Sequence, residues 1–87
     1  MITDQLIVKT RAGIHARPAS QIVKTAQRFQ SEIFFIKDNM KINGKSIMGV
    51  ITLGATYNTA LTVEISGPDE KEMFEAIKAL FDNHFEE

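Results

Sequence analysis

Period-two and helical hydrophobic patterns alternate along the chain, beginning with a strand and a helix. Residues 2–9 alternate between apolar and polar side chains, which predicts a half-buried strand. A loop over 10–15 leads to apolar residues spaced by three or four positions, which predict an amphipathic helix beginning at Ala16. Pro18 fits the first turn of that helix, where the missing N–H has no intrahelical partner. The predicted apolar face consists of Ala19, Ile22, Val23, Ala26 and Phe29.

A hairpin and a short helix are predicted next. The apolar stretch Glu32–Lys37 and the alternating stretch Met40–Asn43 indicate two strands joined by a turn at residues 38–39. Ser46 precedes a short helical pattern, and its hydroxyl is expected to cap that helix. Gly54 can end the helix because glycine adopts left-handed backbone angles readily.

A last strand and helix complete the pattern. Ala60–Ser66 alternates cleanly and predicts a strand. In the helix that follows, Asp69 and Glu72 have the spacing of a capping box. We place His84 in this helix, as an exposed residue near its acidic end. The predicted apolar face consists of Met73, Phe74, Ile77, Leu80 and Phe81.

The order β-α-β-β-α-β-α defines the predicted fold class. Strands that alternate on one face indicate an antiparallel sheet with helices covering one side. We therefore expect an α+β protein, an open-faced β-sandwich, formed by a single domain over residues 1–87. The hydrophobic pattern leaves the order in which the strands pair open.

Composition is typical of a folded protein in a reducing compartment. Of the 87 residues, 44% are hydrophobic and 24% are charged. The absence of cysteine excludes disulfides and thiolate metal sites. The sequence has no signal-peptide pattern and no apolar run of the ~20 residues that a membrane helix needs. We expect a cytoplasmic protein without metal, cofactor or membrane insertion.

Charge is distributed unevenly along the chain. Up to Ser46 there are eight Lys and Arg against three acidic residues, and from Ile47 onward there are two Lys against eight acidic residues. A basic first half suggests a phosphate ligand or an acidic protein partner, although two solvated faces give the same pattern. A pI of about 6.1 argues against nucleic-acid binding.

His15 stands where the first long helix is predicted to begin, and Arg17 follows two residues later. The N–H groups of a first helical turn have no intrahelical acceptors and lie at the positive end of the helix dipole, so they bind anions. A neutral imidazole is a nucleophile, and a guanidinium can hold phosphate oxygens. The pattern suggests a histidine that holds a phosphoryl group, while a lone histidine here can also be a plain surface or capping residue.

Two surfaces are candidates for partner docking. A polar stripe on the first long helix consists of Arg17, Ser20, Gln21 and Lys24. A second surface, around the short helix, consists of Ile47, Met48 and Ile51. These three apolar side chains cannot all reach one small core, and an exposed methionine adapts to several partners. Simple solvation and core packing are the alternative explanations.

Two motifs stand out at a characteristic separation. The first is Gly13-Ile14-His15-Ala16-Arg17-Pro18-Ala19, and the second, about thirty residues on, is Lys45-Ser46-Ile47-Met48-Gly49-Val50. With them the chain resembles, over essentially its whole length, the HPr family, the histidine-containing phosphocarriers of the bacterial phosphoenolpyruvate-dependent sugar phosphotransferase system. It departs from the family at Gly44, where a bulkier apolar residue is common, and at Ala55–Thr59.

The resemblance implies a four-stranded antiparallel sheet covered on one face by two longer helices and one short helix. It implies that enzyme I phosphorylates Nδ1 of His15 from phosphoenolpyruvate, and that His15 then donates to the IIA domains of sugar permeases with the help of Arg17. Ser46 resembles the regulatory serine that an ATP-dependent HPr kinase/phosphorylase modifies, which turns family members into corepressors of a catabolite-control regulator. The chain would then be a carrier rather than an enzyme, and we expect a monomer.

Other functions remain open from the sequence. The same fold can serve as a regulatory module read by non-transport partners, for example in a nitrogen-type branch. It can also serve as an accessory carrier of a dihydroxyacetone kinase. A free-standing enzyme is the least favoured, because no cofactor motif, paired carboxylates or Ser/Asp partner accompanies His15.

Overall fold

The computed structural model describes residues 1–86. In chain order the elements are β1 (Ile2–Ile7), α1 (Ala16–Ala26), β2 (Glu32–Lys37), β3 (Met40–Asn43), α2 (Ile47–Thr52), β4 (Ala60–Ser66) and α3 (Glu70–Asp82), followed by a turn at His84–Glu86. The predicted order β-α-β-β-α-β-α and the α+β class are confirmed.

The four strands form one antiparallel sheet in the order β1-β4-β2-β3. The last strand lies between the first two, so that Val63 is opposite Asp4 on one side and Phe35 on the other. β2 and β3 form the predicted hairpin, with Lys37 opposite Met40. This order places the end of β1, and the loop that leads to α1, beside the loop that precedes β4.

The core lies between the helices and one face of the sheet. The strands contribute buried side chains at alternate positions, namely Leu6, Ile33, Phe35, Leu61, Val63 and Ile65. The helices contribute Ala19, Ile22, Val23, Ala26, Val50, Met73, Ile77 and Phe81. On the opposite, open face, the Lys41 ammonium lies 4.9 Å from the centre of the Phe34 ring and 3.1 Å from a Glu64 carboxylate oxygen. One covered and one open face confirm the open-faced sandwich.

Two element boundaries differ from the prediction. β1 ends at Ile7 rather than at residue 9, although the Val8 N–H still donates to the Thr59 carbonyl at 2.9 Å. α1 ends at Ala26, three residues before Phe29, which is half-buried beyond the helix. Val8 and Phe29 thus belong to or pack against the hydrophobic core, although each lies just beyond the end of its strand or helix.

Asp69 does not form the predicted capping box, and that prediction is wrong. Its side chain makes no bond to the first turn of α3, and Glu72 is exposed. The carboxylate instead accepts hydrogen bonds from the N–H groups of Gln30 (3.0 Å) and Ser31 (2.9 Å) and from the Ser31 hydroxyl (2.5 Å). These bonds lower the pKa of the Asp69 carboxyl, with the Ser31 hydroxyl contributing most. Asp69 therefore fastens the segment after α1 to the start of α3.

His84 lies beyond the last helix, so its predicted place inside that helix is wrong. α3 ends at Asp82, and His84, Phe85 and Glu86 all have positive φ angles of 52°, 53° and 64°. Such angles are unfavourable for residues other than glycine. The turn is held by burial of Phe85, which is 2% exposed and packs edge-to-face on Phe81 with ring centres 4.9 Å apart.

Candidate functional site

The loop before α1 is a compact turn that ends at His15. The Gly13 N–H donates to the Thr10 carbonyl at 3.0 Å, and the His15 N–H donates to the Gly13 carbonyl at 3.1 Å. Gly13 has a φ of +77°, an angle that glycine adopts without strain. Ile14 is 5% exposed and anchors the loop in the core. Its N–H donates to the Ala55 carbonyl at 2.9 Å, so the loop is also tied to the segment before β4.

His15 is the N-cap residue of α1, as the sequence predicts. Its backbone is extended, with φ −102° and ψ −164°, and its carbonyl accepts the first helical bond from the Ala19 N–H at 2.9 Å. The side chain is exposed and makes no capping hydrogen bond. The imidazole is therefore left free for contact with another molecule.

The first turn of α1 offers two backbone donors next to this imidazole. Within residues 1–86, the N–H groups of Ala16 and Arg17 have no acceptor. Pro18 has no N–H, and the His15 N–H is already used by Gly13. The Arg17 side chain is exposed and forms no ion pair with any described residue. The site can thus present an imidazole, two N–H donors and one guanidinium to an anion.

The polar stripe on α1 is less uniform than the sequence suggests. Arg17 and Lys24 are exposed, while Ser20 and Gln21 are half-buried. The Gln21 amide nitrogen points to the Phe85 carbonyl at 3.5 Å, and its buried amide oxygen has no partner among residues 1–86. Gln21 therefore faces the C-terminal turn. The sequence spacing alone contains no sign of this, because the two residues are 64 positions apart.

The second predicted surface surrounds the start of α2. The Ser46 hydroxyl accepts a hydrogen bond from the Gly49 N–H at 3.1 Å, which confirms it as the cap of this helix. Next to it, Ile47 and Met48 are 43% and 70% exposed, and Ile51 is half-buried. The ammonium of Lys45 turns away and donates to the Phe29 carbonyl at 2.9 Å. The predicted apolar surface consequently lies beside the serine hydroxyl.

The departures from the family pattern have structural consequences. A Cβ atom at Gly44 would lie 2.8 Å from a ring carbon of Phe35 and 2.9 Å from a methyl carbon of Ile33, so glycine lets these two side chains pack against the backbone. The segment Ala55–Thr59 braces the loop before His15 through the Ala55 carbonyl. We assigned this segment no role from the sequence, since contacts across 41 positions leave no local pattern.

Clusters of metal-ligating side chains and membrane-spanning helices are both absent from the described part of the chain. Residues 1–86 contain no group of three or more His, Asp or Glu side chains that could hold a metal ion. Their helices are all too short or too polar to cross a bilayer.

Comparison with known proteins agrees with this geometry. Residues 2–83 match the family model described as the PTS HPr component phosphorylation site. A phosphocarrier protein HPr from Treponema pallidum is 45% identical over 87 residues, which cover 100% of this chain and 99% of the relative. An HPr-like protein Crh from Halalkalibacterium halodurans is 43% identical over 82 residues, 94% of this chain and 98% of the relative. A crystal structure of HPr from Thermoanaerobacter tengcongensis superimposes with a TM-score of 0.96 at 39% identity, covering 100% of this chain and 98% of that one.

The fold, the histidine site and these matches define a small phosphocarrier with an α+β open-faced sandwich. The chain belongs to the HPr family, the phosphocarrier components of the bacterial phosphotransferase system.

Proposed function

We propose that the chain takes a phosphoryl group from phosphorylated enzyme I onto His15 and passes it to IIA domains of sugar permeases. One observation carries the assignment to this residue. His15 is an exposed histidine whose side chain is unbonded at the start of α1, beside two free backbone donors. The chain's other histidine, His84, follows an acidic helix and has no such donors described around it.

The transfer is a displacement at phosphorus. A nitrogen lone pair of the neutral His15 imidazole forms the new N–P bond while the bond between phosphorus and the donor breaks, and the electron pair of that bond returns to the donor. The other ring nitrogen keeps its proton. We place the phosphoryl group on Nδ1, following the HPr family. The protein contributes position and charge rather than a base of its own, which makes it a covalent carrier and not an independent enzyme.

The small number of hydrogen-bond donors around His15 suits a phosphoryl group that must be transferred onward. The N–H groups of Ala16 and Arg17 can each donate a hydrogen bond to a phosphoryl oxygen, and the Arg17 guanidinium can pair with the remaining charge. Pro18 removes the third donor that most helices offer at this position. Binding the phosphoryl group too tightly would slow onward transfer. The phosphorylated protein would then be stabilised more than the transition state of the next transfer, which raises the barrier.

Docking of both partners is assigned to the two predicted surfaces. The first surface continues from Arg17 along α1 through Ser20, Gln21 and Lys24. The second surface consists of the apolar side chains of Ile47, Met48 and Ile51, which lie beside Ser46. Arg17 and Lys24 have no ion partner within residues 1–86, so they are available to an acidic protein. We further propose that the carrier acts as a cytoplasmic monomer.

Labelling with phosphoenolpyruvate tests the acceptor. The protein is incubated with enzyme I and labelled phosphoenolpyruvate, and acid-labile, alkali-stable label is counted. We expect no label on a His15→Ala variant and full label on the matched control His84→Ala. Label that persists on His15→Ala, or disappears in His84→Ala, would contradict the assignment.

A regulatory role of Ser46 is a second proposal, supported by its position. The hydroxyl lies at the start of α2 beside exposed Ile47 and Met48. A phosphoryl group there adds about −1.5 to −2 charges next to the docking surface. It can keep the hydrogen bond from the Gly49 N–H, so α2 need not unfold. In this proposal an HPr kinase/phosphorylase is the modifying enzyme, and a catabolite-control regulator binds the modified form.

Charge at residue 46 is tested with a matched pair of variants. Ser46→Asp and Ser46→Ala both lose the native hydroxyl, but only the first adds a negative charge. We expect enzyme I to phosphorylate Ser46→Asp more slowly than Ser46→Ala, through a higher KM. Equal rates in the two variants would refute the electrostatic explanation.

A further inference from the structure

The turn Thr56–Thr59, which precedes β4, holds an aromatic side chain at its tip. The Thr59 N–H donates to the Thr56 carbonyl at 3.1 Å, and the Thr56 N–H donates to the Thr59 hydroxyl at 3.2 Å. The two threonine hydroxyls are also hydrogen-bonded at 3.1 Å. Tyr57 and Asn58 occupy the two central positions, and Asn58 has a φ of +68°, which asparagine tolerates better than most residues. The tip is therefore closed by three bonds of its own.

This turn is joined to the loop that carries His15. The Ile14 N–H donates to the Ala55 carbonyl at 2.9 Å, and the Asn58 N–H donates to the Val8 carbonyl at 2.7 Å. Gly13 approaches so closely that a Cβ atom there would lie 2.6 Å from the Ala55 carbonyl oxygen and 3.1 Å from the Thr56 Cα. These contacts join the two loops and place the backbone of Tyr57 next to the loop that presents the histidine.

No contact within the described residues explains why a tyrosine occupies position 57. Its side chain is 49% exposed and makes no hydrogen bond or ring contact with any described residue. Tyrosine offers a large contact area at a low cost in conformational entropy, and it is enriched among the residues that contribute most to protein interfaces. A tyrosine on a hydrogen-bonded turn loses even less freedom when a partner covers it.

We propose that Tyr57 is a specificity-determining contact for the protein that donates the phosphoryl group, with its ring docked on an apolar surface of that donor. The proposal rests on the proposed function, in which one donor serves several acceptors. Met48 is 70% exposed and flexible, which suits a changing set of acceptors, whereas a tyrosine on a fixed turn suits a partner of constant shape. The basic first half of the chain, which contains His15, provides the complementary attraction for an acidic donor surface.

Steady-state phosphorylation by enzyme I tests the contact. For Tyr57→Ala we expect KM for the carrier to rise about tenfold, with kcat changed by less than about twofold, because removal of an interface anchor weakens docking without touching the reacting atoms. Tyr57→Phe should keep the wild-type KM. Ile7→Thr is the matched control, since Ile7 is 39% exposed on the open face of the sheet, and its KM should not change.

The outcomes distinguish the Tyr57 contact from the proposed carrier function on which it rests. A wild-type KM in folded Tyr57→Ala, with His15→Ala still unlabelled, overturns the contact and leaves the carrier function in place. A KM effect confined to transfer onward to a IIA domain overturns the assignment to the donor. A KM for Tyr57→Phe as high as that of Tyr57→Ala overturns docking through the ring, because that variant removes only the hydroxyl. Failure of enzyme I to label the wild-type protein overturns both proposals together.

Discussion

Replacing Gly13 by alanine tests whether the loop before His15 depends on its close approach to the Ala55 backbone. The new residue would have to keep a φ of +77°, which costs an alanine about 1–2 kcal/mol. Its Cβ would also lie 2.6 Å from the Ala55 carbonyl oxygen, a backbone atom that moves only with its whole segment. Separating the two segments weakens the 2.9 Å bond between Ile14 and Ala55, which contributes about 0.5–1.5 kcal/mol. Together these effects cost about 1.5–3.5 kcal/mol.

Thermal unfolding with a matched control measures this loss. In a domain of this size, each kcal/mol corresponds to about 4–8 °C, so we expect the Tm of Gly13→Ala to fall by about 6–28 °C. Gly54→Ala is the control, because Gly54 also has a positive φ of 61° but a Cβ there has no neighbour closer than 3.9 Å. Its Tm should fall less, by about 4–16 °C, from the backbone angle alone. Equal losses in the two variants would refute the steric part of the reasoning.

Two further predictions concern Asp69 and Phe85. The pKa of Asp69 is lowered by its bonds to Ser31 and Gln30, so its carboxylate stabilises the fold above its ordinary pKa of 3.8 and this contribution is lost as the pH falls through the lower, folded value. The Tm gap between wild type and Asp69→Asn should therefore be wide at pH 7 and should begin to close only below about pH 4, and a gap independent of pH would contradict the account. Phe85→Ala should cost about 3 kcal/mol in denaturant unfolding, near the lower end for a buried phenylalanine, because three left-handed residues relax when the ring is removed. A loss below about 1 kcal/mol would show that the C-terminal turn adds little to stability.

Local patterns predicted the elements of this protein because its helices and strands are regular and amphipathic. α1 buries Ala19, Ile22, Val23 and Ala26 as their spacing indicates. β4 buries Leu61, Val63 and Ile65 at alternate positions. Ser46 caps α2 because a cap needs only a hydroxyl and an N–H group three residues later. Each of these features is decided within a few residues, which is the range over which a sequence pattern carries information.

The features that the sequence did not predict depend on distant partners. Asp69 is a residue type that often caps helices, yet its carboxylate accepts hydrogen bonds from Ser31, 38 positions away, and none from the first turn of α3. The insertion of β4 between β1 and β2 likewise depends on pairing between distant strands. Around the candidate site, the imidazole at the start of α1 was predictable from Gly13 and the helix pattern. The brace from Ala55 and the inward turn of Gln21 required the folded chain.

The central claim is that the exposed ring of His15 carries the phosphoryl group. NMR of the protein labelled with ¹⁵N at its two histidines tests this most directly, during incubation with enzyme I and phosphoenolpyruvate. The account predicts a large change at Nδ1 of His15, unchanged ring signals for His84, and return of the His15 signals when a IIA domain is added. Modification of the His84 ring, or a His15 ring that stays unchanged while the protein becomes phosphorylated, would contradict it.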